Sequence, residues 1–268
     1  GLSEGHAQTT HGSARWSTGA EVKRTGLLER HGVVLGKVGR RILRSNDESH
    51  ILLIGATRSG KGVSTIIPTL LTWRASALIL DPKDGENATI TAPARAQWSQ
   101  VLLFTPCKRP HASINVLDTV RLRTPRDVGD AQSIAQSLVA PVKLTGEGAT
   151  AVHFRELASM LLTAAILQVC YTSRRPSLAG VWDFLTQRHT TIGDALKTMG
   201  KAVHPAIQSL VRAIQNITGD RELSGVWSTA IRPLVLYSDP LVAASTDSST
   251  LRLETLQHGA LPVSLYLI

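Results

Sequence analysis

The stretch that most constrains this chain is HILLIGATRSGKGVSTIIPTLL, residues 50–71. A short apolar run is followed by a loop of the form G-x-x-x-x-G-K and then by an apolar segment of helical period. Gly55 and Gly60 let the backbone curl so that successive N–H groups face one concavity. Lys61 follows at the start of a helix expected to run from about Lys61 to Trp73, and its N-terminal dipole favours anions. Gly55, Ala56, Thr57, Arg58, Ser59, Gly60, Lys61, Gly62 and Val63 are thus the candidate cradle for the phosphates of a nucleotide, with Lys61 directed at the β- and γ-phosphates. This reading expects "HILLIG" to be a buried strand leading into the loop.

Two residues break the ordinary pattern. Gly62 stands where such a loop normally carries the Ser or Thr whose hydroxyl ligates Mg²⁺. Ser64 and Thr65 follow, but at about 100° per residue neither takes over that direction. Water could complete the metal's shell. Pro68 falls about two turns into the helix, where its missing N–H and its ring demand either a kink or a packing role. Hydrolysis also needs carboxylates to hold the metal and orient water. Asp81, closing the apolar run "ALILD", is the candidate metal carboxylate, with Glu86 close by in "DPKDGE". The plain alternative is that Asp81 caps a strand end and residues 83–85 form a turn.

Further along, "SALILD" and "QVLLFTP" read as second and third buried strands, the apolar runs of a parallel sheet covered on both faces. The period then changes. "DAQSIAQSLV" forms a helical stripe with Asp130 as its expected N-cap. "ELASMLLTAAILQV", "PSLAGVWDFL", "HPAIQSLVRAIQNI" and "DRELSGVWSTAIRPLVLY" are further helices; Pro176 with Ser177 and then Pro205 mark starts, and Pro233 marks a kink or an end. "GALPVSLYLI" returns to strand. The fold class expected is α/β: an incomplete nucleotide-binding domain (45–122 and 255–268) with an inserted all-α domain (123–254), preceded by a basic segment (1–44) with short β-like pieces.

Charge narrows the partners. Lys+Arg 29 against Asp+Glu 20 gives +9, with a sequence pI of about 10.1, which favours a polyanion such as nucleic acid or an anionic membrane face. The excess is concentrated in residues 1–44, which could lie against lipid headgroups. Aromatics make up only 4%, too few for a groove that stacks single-stranded bases; Trp73, Trp98, Trp182 and Trp227 read as packing residues. His153 reads as structural. Cys107 and Cys170 lack metal-ligand spacing and read as thiols of a reducing compartment. The apolar run 157–171 is interrupted by Ser159, Thr163 and Gln168 and is expected not to span a bilayer. A start at Gly and an end in mid-strand suggest a piece of a longer protein.

With these residues in view, the chain resembles the VirD/TraG family of type IV secretion coupling proteins. The likeness rests on an ordered set: "HGSARWS" (residues 11–17), "GATRSGKGVSTIIPTLLTW", "LILDPKDGEN", "VLLFTP", "ASINVLD", "DAQSIAQSLV", "HFRELASMLLTAAILQV" and "SLAGVWDFL". In this family Gly after the loop Lys and Pro in the following helix are usual, so the resemblance makes Gly62 a family trait. It implies a RecA-like P-loop domain with an inserted all-α domain, ATP and Mg²⁺ as cofactors, and a homo-oligomeric, hexameric ring. It also implies relaxase-bound single-stranded DNA or protein as cargo, type IV secretion channel proteins as partners, and the cytoplasmic face of a bacterial inner membrane, reached through an N-terminal anchor. There are departures. Asp84 separates Lys83 from Gly85, where the family runs Lys-Gly-Glu, and the family's Asp-Glu strand motif, sensor residues and transmembrane helices are absent from these residues.

The leading reading is therefore an ATP-driven motor subunit that moves nucleoprotein cargo into a secretion channel. The rival is a non-hydrolysing nucleotide- or DNA-binding adaptor, consistent with the absent Asp-Glu strand. A third reading, another DNA-translocating loop ATPase such as a chromosome-segregation pump, fits the helical insert and "HGSARWS" less well.

Overall fold

The computed structural model describes residues 17–108, 112–140, 148–186, 188, 191–217 and 219–268. All but the last residue of "HGSARWS" lies outside them. The chain forms two compact units: the described residues through Ala75 with Thr89–Gln97, and Ser76–Ala88 with Trp98–Ile268.

The first unit opens with α1 (Gly19–Arg24), started by a reciprocal cap: the Thr18 hydroxyl accepts from the Glu21 N–H while the Glu21 carboxylate accepts from the Thr18 N–H at 2.7 Å. An antiparallel hairpin follows, β1 (Val33–Val38) and β2 (Arg41–Ser45). The phosphate-loop segment then leads into a π-helical turn (Gly62–Ile66) and α2 (Ile67–Thr72). The hairpin is tied to α2 at its base, where the Val34 N–H donates to Thr69 Oγ1 at 2.9 Å and Arg44 Nη1 donates to Thr72 Oγ1 at 2.9 Å. The later turns of α3 (Glu86–Arg95) complete the unit.

The expected continuous helix from Lys61 to Trp73 is in fact two segments, and Pro68 explains the join. The Ile67 N–H reaches back to the Gly62 carbonyl, an i→i−5 bond, so the turn ahead of Pro68 is widened. Pro68 then falls at the start of the α-helical segment, where the ring is tolerated.

The second unit holds a parallel sheet of β3 (Ala77–Leu80), β4 (Gln100–Phe104) and β5 (Val263–Leu267) in the order β3–β5–β4. β5 is central, with Val263, Ser264, Leu265 and Tyr266 all buried. The parallel sheet follows from the three apolar runs, but β3 is covered on one face only. Ile79 is buried while Leu78 and Leu80 are 61% and 73% exposed.

Between β4 and β5 comes the helical block: a 3₁₀ turn (Val116–Thr119), α4 (Asp127–Leu138), α5 (Ala149–Thr172), α6 (Leu178–Thr186), α7 (Ile192–Met199), α8 (Pro205–Ile217), α9 (Asp220–Ile231), a second 3₁₀ run (Arg232–Ser238), α10 (Pro240–Thr246) and α11 (Thr255–His258). Its axis is α5, packed against α4, α6, α7, α8 and α9. Leu161, Leu162, Ala164, Ala165, Ile166 and Leu167 are wholly enclosed. Removing this much aliphatic surface from water, at roughly 25 cal/mol per Å², is what holds the block together. At 24 residues α5 is long and apolar enough to cross a bilayer by length and composition alone, yet over half of its most apolar window is buried by the neighbouring helices. Of the polar residues in α5, Thr163 is absorbed within the helix, its hydroxyl donating to the Ser159 carbonyl at 2.7 Å, whereas Gln168 Oε1 is buried without a hydrogen-bond partner among the described residues. His153 pairs with Glu222 at 2.5 Å, joining α5 to α9, which gives it the structural place expected. Trp182 and Trp227 pack on the same core.

Two starts are as expected: Ser177 Oγ accepts from the Gly180 N–H at 3.1 Å, and α8 opens on Pro205. Asp130 is not the N-cap of α4. The helix begins at Asp127, and Asp130 instead turns inside it to hold Arg121.

Where the chain leaves the sheet for the helices and where it returns, the two passes are hydrogen-bonded together. The Thr250 N–H donates to the Ser113 carbonyl at 2.8 Å and the Ile114 N–H to the Ser245 carbonyl at 3.0 Å. Asn115, 2% exposed, is the hub: its Oδ1 accepts from the Leu117 N–H at 3.0 Å and its amide donates to the Pro176 carbonyl at 2.7 Å. The end of α10 and the turn after it, residues 245–250, are thus fastened to the segment that leaves the sheet.

Candidate phosphate-binding site

Residues 55–63 form a tight turn that opens a helix. Arg58 and Gly60 are both left-handed, with φ of 63° and 87°, and the Ser59 N–H donates to the Ala56 carbonyl at 3.2 Å. A Cβ added at Gly55 would lie 2.7 Å from Ser59 Oγ, so a larger residue there would require that hydroxyl to turn away. Lys61 takes up helical angles (φ −49°, ψ −44°) and its ammonium donates to the carbonyls of Gly55 and Ala56, each at 2.7 Å. The Ser64 N–H bonds the Gly60 carbonyl at 2.9 Å; the N–H groups of the first turn before it have no carbonyl upstream within the helix to take. A closed loop, an ammonium and a helix start suit a phosphate chain. Residues 55–59 are exposed, so the concavity is open to a ligand.

The metal side is different. A Cβ at Gly62 would meet nothing within 4 Å, so glycine at this position answers no steric demand, and the position carries no hydroxyl. Among the described residues no group of three or more His, Cys, Asp or Glu is placed to hold a metal ion. The residues present fit phosphates and do not by themselves make a Mg²⁺ site.

The strand expected ahead of the loop does not form. Residues 51–54 pair with no described strand, and Ile51, Leu52, Leu53 and Ile54 are 43, 84, 44 and 84% exposed. The exposures alternate with the period of an extended chain. Extended conformation alone is not a strand: without a neighbour to take its N–H and C=O groups, the apolar run stays solvated.

In the second unit, Asp81 is wholly buried at the end of β3, and its own N–H donates to the Leu267 carbonyl at 2.8 Å. Its Oδ1 accepts from Asn87 Nδ2 at 3.1 Å and its Oδ2 from the Ala88 N–H at 2.9 Å. Asp81 thereby satisfies the first turn of α3, a helix-capping role distinct from the strand-end cap expected as the alternative to a metal carboxylate, while residues 82–85 form the expected turn. The inserted Asp84 is accommodated by consecutive left-handed residues, Asp84 at φ 54° and Gly85 at φ 79°. The Lys108 ammonium bonds the Asp84 carboxylate and holds its pKa below the ordinary value. Glu86 is exposed and lies 3.6 Å from Lys83. Of the thiols, Cys107 is exposed, and burial pushes Cys170 up to about 12.

Sequence reasoning missed Arg95. It is fully buried in α3 and donates through Nη1 to the carbonyls of Leu70 and Trp73, both at 2.8 Å, and through Nη2 to the Ala75 carbonyl at 2.9 Å. One guanidinium therefore closes the C-terminal end of the helix that begins at the phosphate loop. An arginine beside Pro93 in an otherwise weakly patterned helix offered no signal of this.

The chain is similar over most of its length to known proteins. A family profile described as "Type IV secretory system Conjugative DNA transfer" matches residues 15–268. A conjugal transfer protein TraG of Escherichia coli is 34% identical over 292 residues, 96% of this chain and 45% of the relative. VirD4 of Agrobacterium fabrum is 32% identical over 89% of this chain and 37% of its own length. The chain thus spans less than half the length of these relatives. Among solved structures, the plasmid coupling protein TrwB in complex with the ATP analogue ADPNP superposes with a TM-score of 0.64 at 17% identity, covering 95% of this chain and 55% of that one. TrwB in complex with ADP and Mg²⁺ gives 0.60 at 16%. At such identities the likeness is one of fold, an α/β P-loop architecture. On the match across residues 15–268 and the TraG and VirD4 identities, the chain belongs to the type IV secretory system conjugative DNA transfer family, that of the VirD4/TraG coupling proteins.

Proposed function

We propose that this chain is the phosphate-binding portion of an ATP-driven coupling protein, which recruits relaxase-bound single-stranded DNA or protein cargo and drives it into a type IV secretion channel. The observation that carries the proposal is the loop of residues 55–63, closed by Lys61 on Gly55 and Ala56 at the start of a helix. The nucleotide-bearing TrwB structures support it by fold.

Gly55, Ala56, Thr57, Arg58, Ser59, Gly60, Lys61, Gly62 and Val63 hold the β- and γ-phosphates, and Lys61 neutralises their charge. Mg²⁺ arriving with ATP would supply charge neutralisation on the phosphates, while this chain's loop would hold the phosphates themselves. Asp81 positions the turn that precedes α3, and Glu86 stays at its surface. Residues 45–122 with 255–268 make up the nucleotide-binding domain, 123–254 the inserted helical domain that receives cargo, and 1–44 a basic membrane-proximal segment. The working form is a homo-hexamer at the cytoplasmic face of the inner membrane, held by an N-terminal anchor.

One observation favours the rival reading of a non-hydrolysing adaptor: both Asp81 oxygens are taken by α3 donors. ATP turnover by the protein of the full reading frame, with and without single-stranded DNA, separates the two. The motor reading predicts DNA-stimulated turnover that Lys61→Ala abolishes. Nucleotide binding without turnover under either condition leaves the adaptor.

A further inference from the structure

We propose that the tip of the β1–β2 hairpin is a docking surface for anionic lipid headgroups. The register pairs Lys37 with Ile42 and Val38 with Arg41, and successive pairs face opposite sides of the ribbon. Each face of the tip therefore presents one cation and one aliphatic side chain. Val38 and Ile42 are both 45% exposed and Leu35 is 41% exposed. Gly39, left-handed at φ 59°, makes the tight reversal, and Arg40 follows it at the apex.

The charge is one-signed. Residues 30–46 carry Arg30, Lys37, Arg40, Arg41 and Arg44 and no carboxylate. Arg44 is spent at the base: it is 8% exposed and bonded to the Gly32 carbonyl and to Thr72. Lys37, Arg40 and Arg41 form no ion pair among the described residues. The base is held by Val34, 4% exposed, and by the Arg44 N–H, which donates to the Leu27 carbonyl at 2.7 Å. A firmly rooted ribbon thus carries an apolar, cationic tip.

That combination decides between polyanions. A phosphodiester backbone would use the cations and leave the aliphatics in water, and the hairpin has no aromatic residue on which a base could stack. The headgroup boundary of an anionic membrane uses both, electrostatic attraction for the cations and the acyl edge for the aliphatics. The inference deepens and rests on the membrane-proximal reading of residues 1–44, but not on nucleotide binding.

The test is flotation of this chain with vesicles of phosphatidylcholine, with and without phosphatidylglycerol, across a salt series. The expected result is binding only to the anionic vesicles, weakening with salt. At about fivefold per cation near the surface, Arg40→Gln with Arg41→Gln weakens it roughly 25-fold. Val38→Ser with Ile42→Ser, which changes exposed side chains and no charge, also weakens it, and both variants keep the wild-type melting temperature. Wild-type partitioning by either double variant overturns the proposal. So does absence of anionic-vesicle binding, or tip-dependent binding of an oligonucleotide in its place.

Discussion

The Lys61 ammonium lies 2.7 Å from the carbonyl oxygen of Gly55, the first residue of its own loop, and 2.7 Å from that of Ala56. The loop is closed from within by the charge that is to meet the phosphates. Little reorganisation is then required on binding, because the ammonium exchanges one set of oxygens for another. A side chain that merely filled space at position 61 could not make this exchange.

Gly62→Ser should fold normally, since a Cβ there meets nothing within 4 Å and φ lies outside the left-handed region. The added hydroxyl should increase the dependence of ATP affinity on Mg²⁺. A gain of one polar contact predicts a rise on the order of tenfold or less in the ratio of affinities with Mg²⁺ and with chelator. An unchanged ratio would mean that position 62 does not face the metal.

For Asp81, the hydrogen bonds to Asn87 and Ala88 predict a stability effect. Asp81→Ala should lower unfolding free energy by about 1–2 kcal/mol, the worth of a lost cap, as read by urea denaturation. Its ratio of ATP affinities with and without Mg²⁺ should stay at the wild-type value. Loss of that ratio in a folded variant would restore Asp81 as a metal carboxylate.

Arg95→Met keeps the length of the side chain and removes its donors. Three carbonyls at the end of α2 lose their partner, which should cost roughly 3 kcal/mol at about 1 kcal/mol per bond. Arg95→Lys should recover only part, because an ammonium lacks the planar fork. Differential scanning calorimetry of the three proteins gives the order wild type, Lys, Met. Equal melting temperatures would remove the clamp from the account.

The ion pair of Arg121 with Asp130 sets an acid limit. Hydrogen bonds from Arg121 depress the Asp130 carboxyl from 3.8 to about 2. A depressed folded-state pKa gives stability that is complete above the unfolded value and lost as pH falls from about 4 towards 2. Arg121→Ala should be less stable than wild type at pH 7, and the gap should narrow through that window. Denaturation midpoints measured at pH 7, 4, 3 and 2.5 check it; a gap that stays constant would contradict the assignment.

How far the sequence was legible depends on whether an element carries its own determinants. The α5 core, the Ser177 and Pro205 helix starts and the three strands β3, β4 and β5 do: their type follows from runs and periods within each segment, although the burial expected on both faces of β3 is found on one only. Residues 51–54 do not, because an apolar run becomes a strand only when another strand pairs with it. Asp130 was misread because a carboxylate near a helix start can either cap or pair, and the choice was made by Arg121, nine residues away. In the site, glycine spacing and Lys61 were legible since the turn is local. Arg95 was hidden: its three partners lie 20 to 25 residues upstream, on another element.

The central claim is a live phosphate loop despite Gly62, and calorimetric titration of Mg-ATP into this chain and its Lys61→Ala variant tests it most directly. The account predicts saturable binding to the wild-type chain and none to the variant, with both equally folded by circular dichroism. Equal binding by both, or binding by neither, would contradict the assignment of residues 55–63 as the nucleotide cradle.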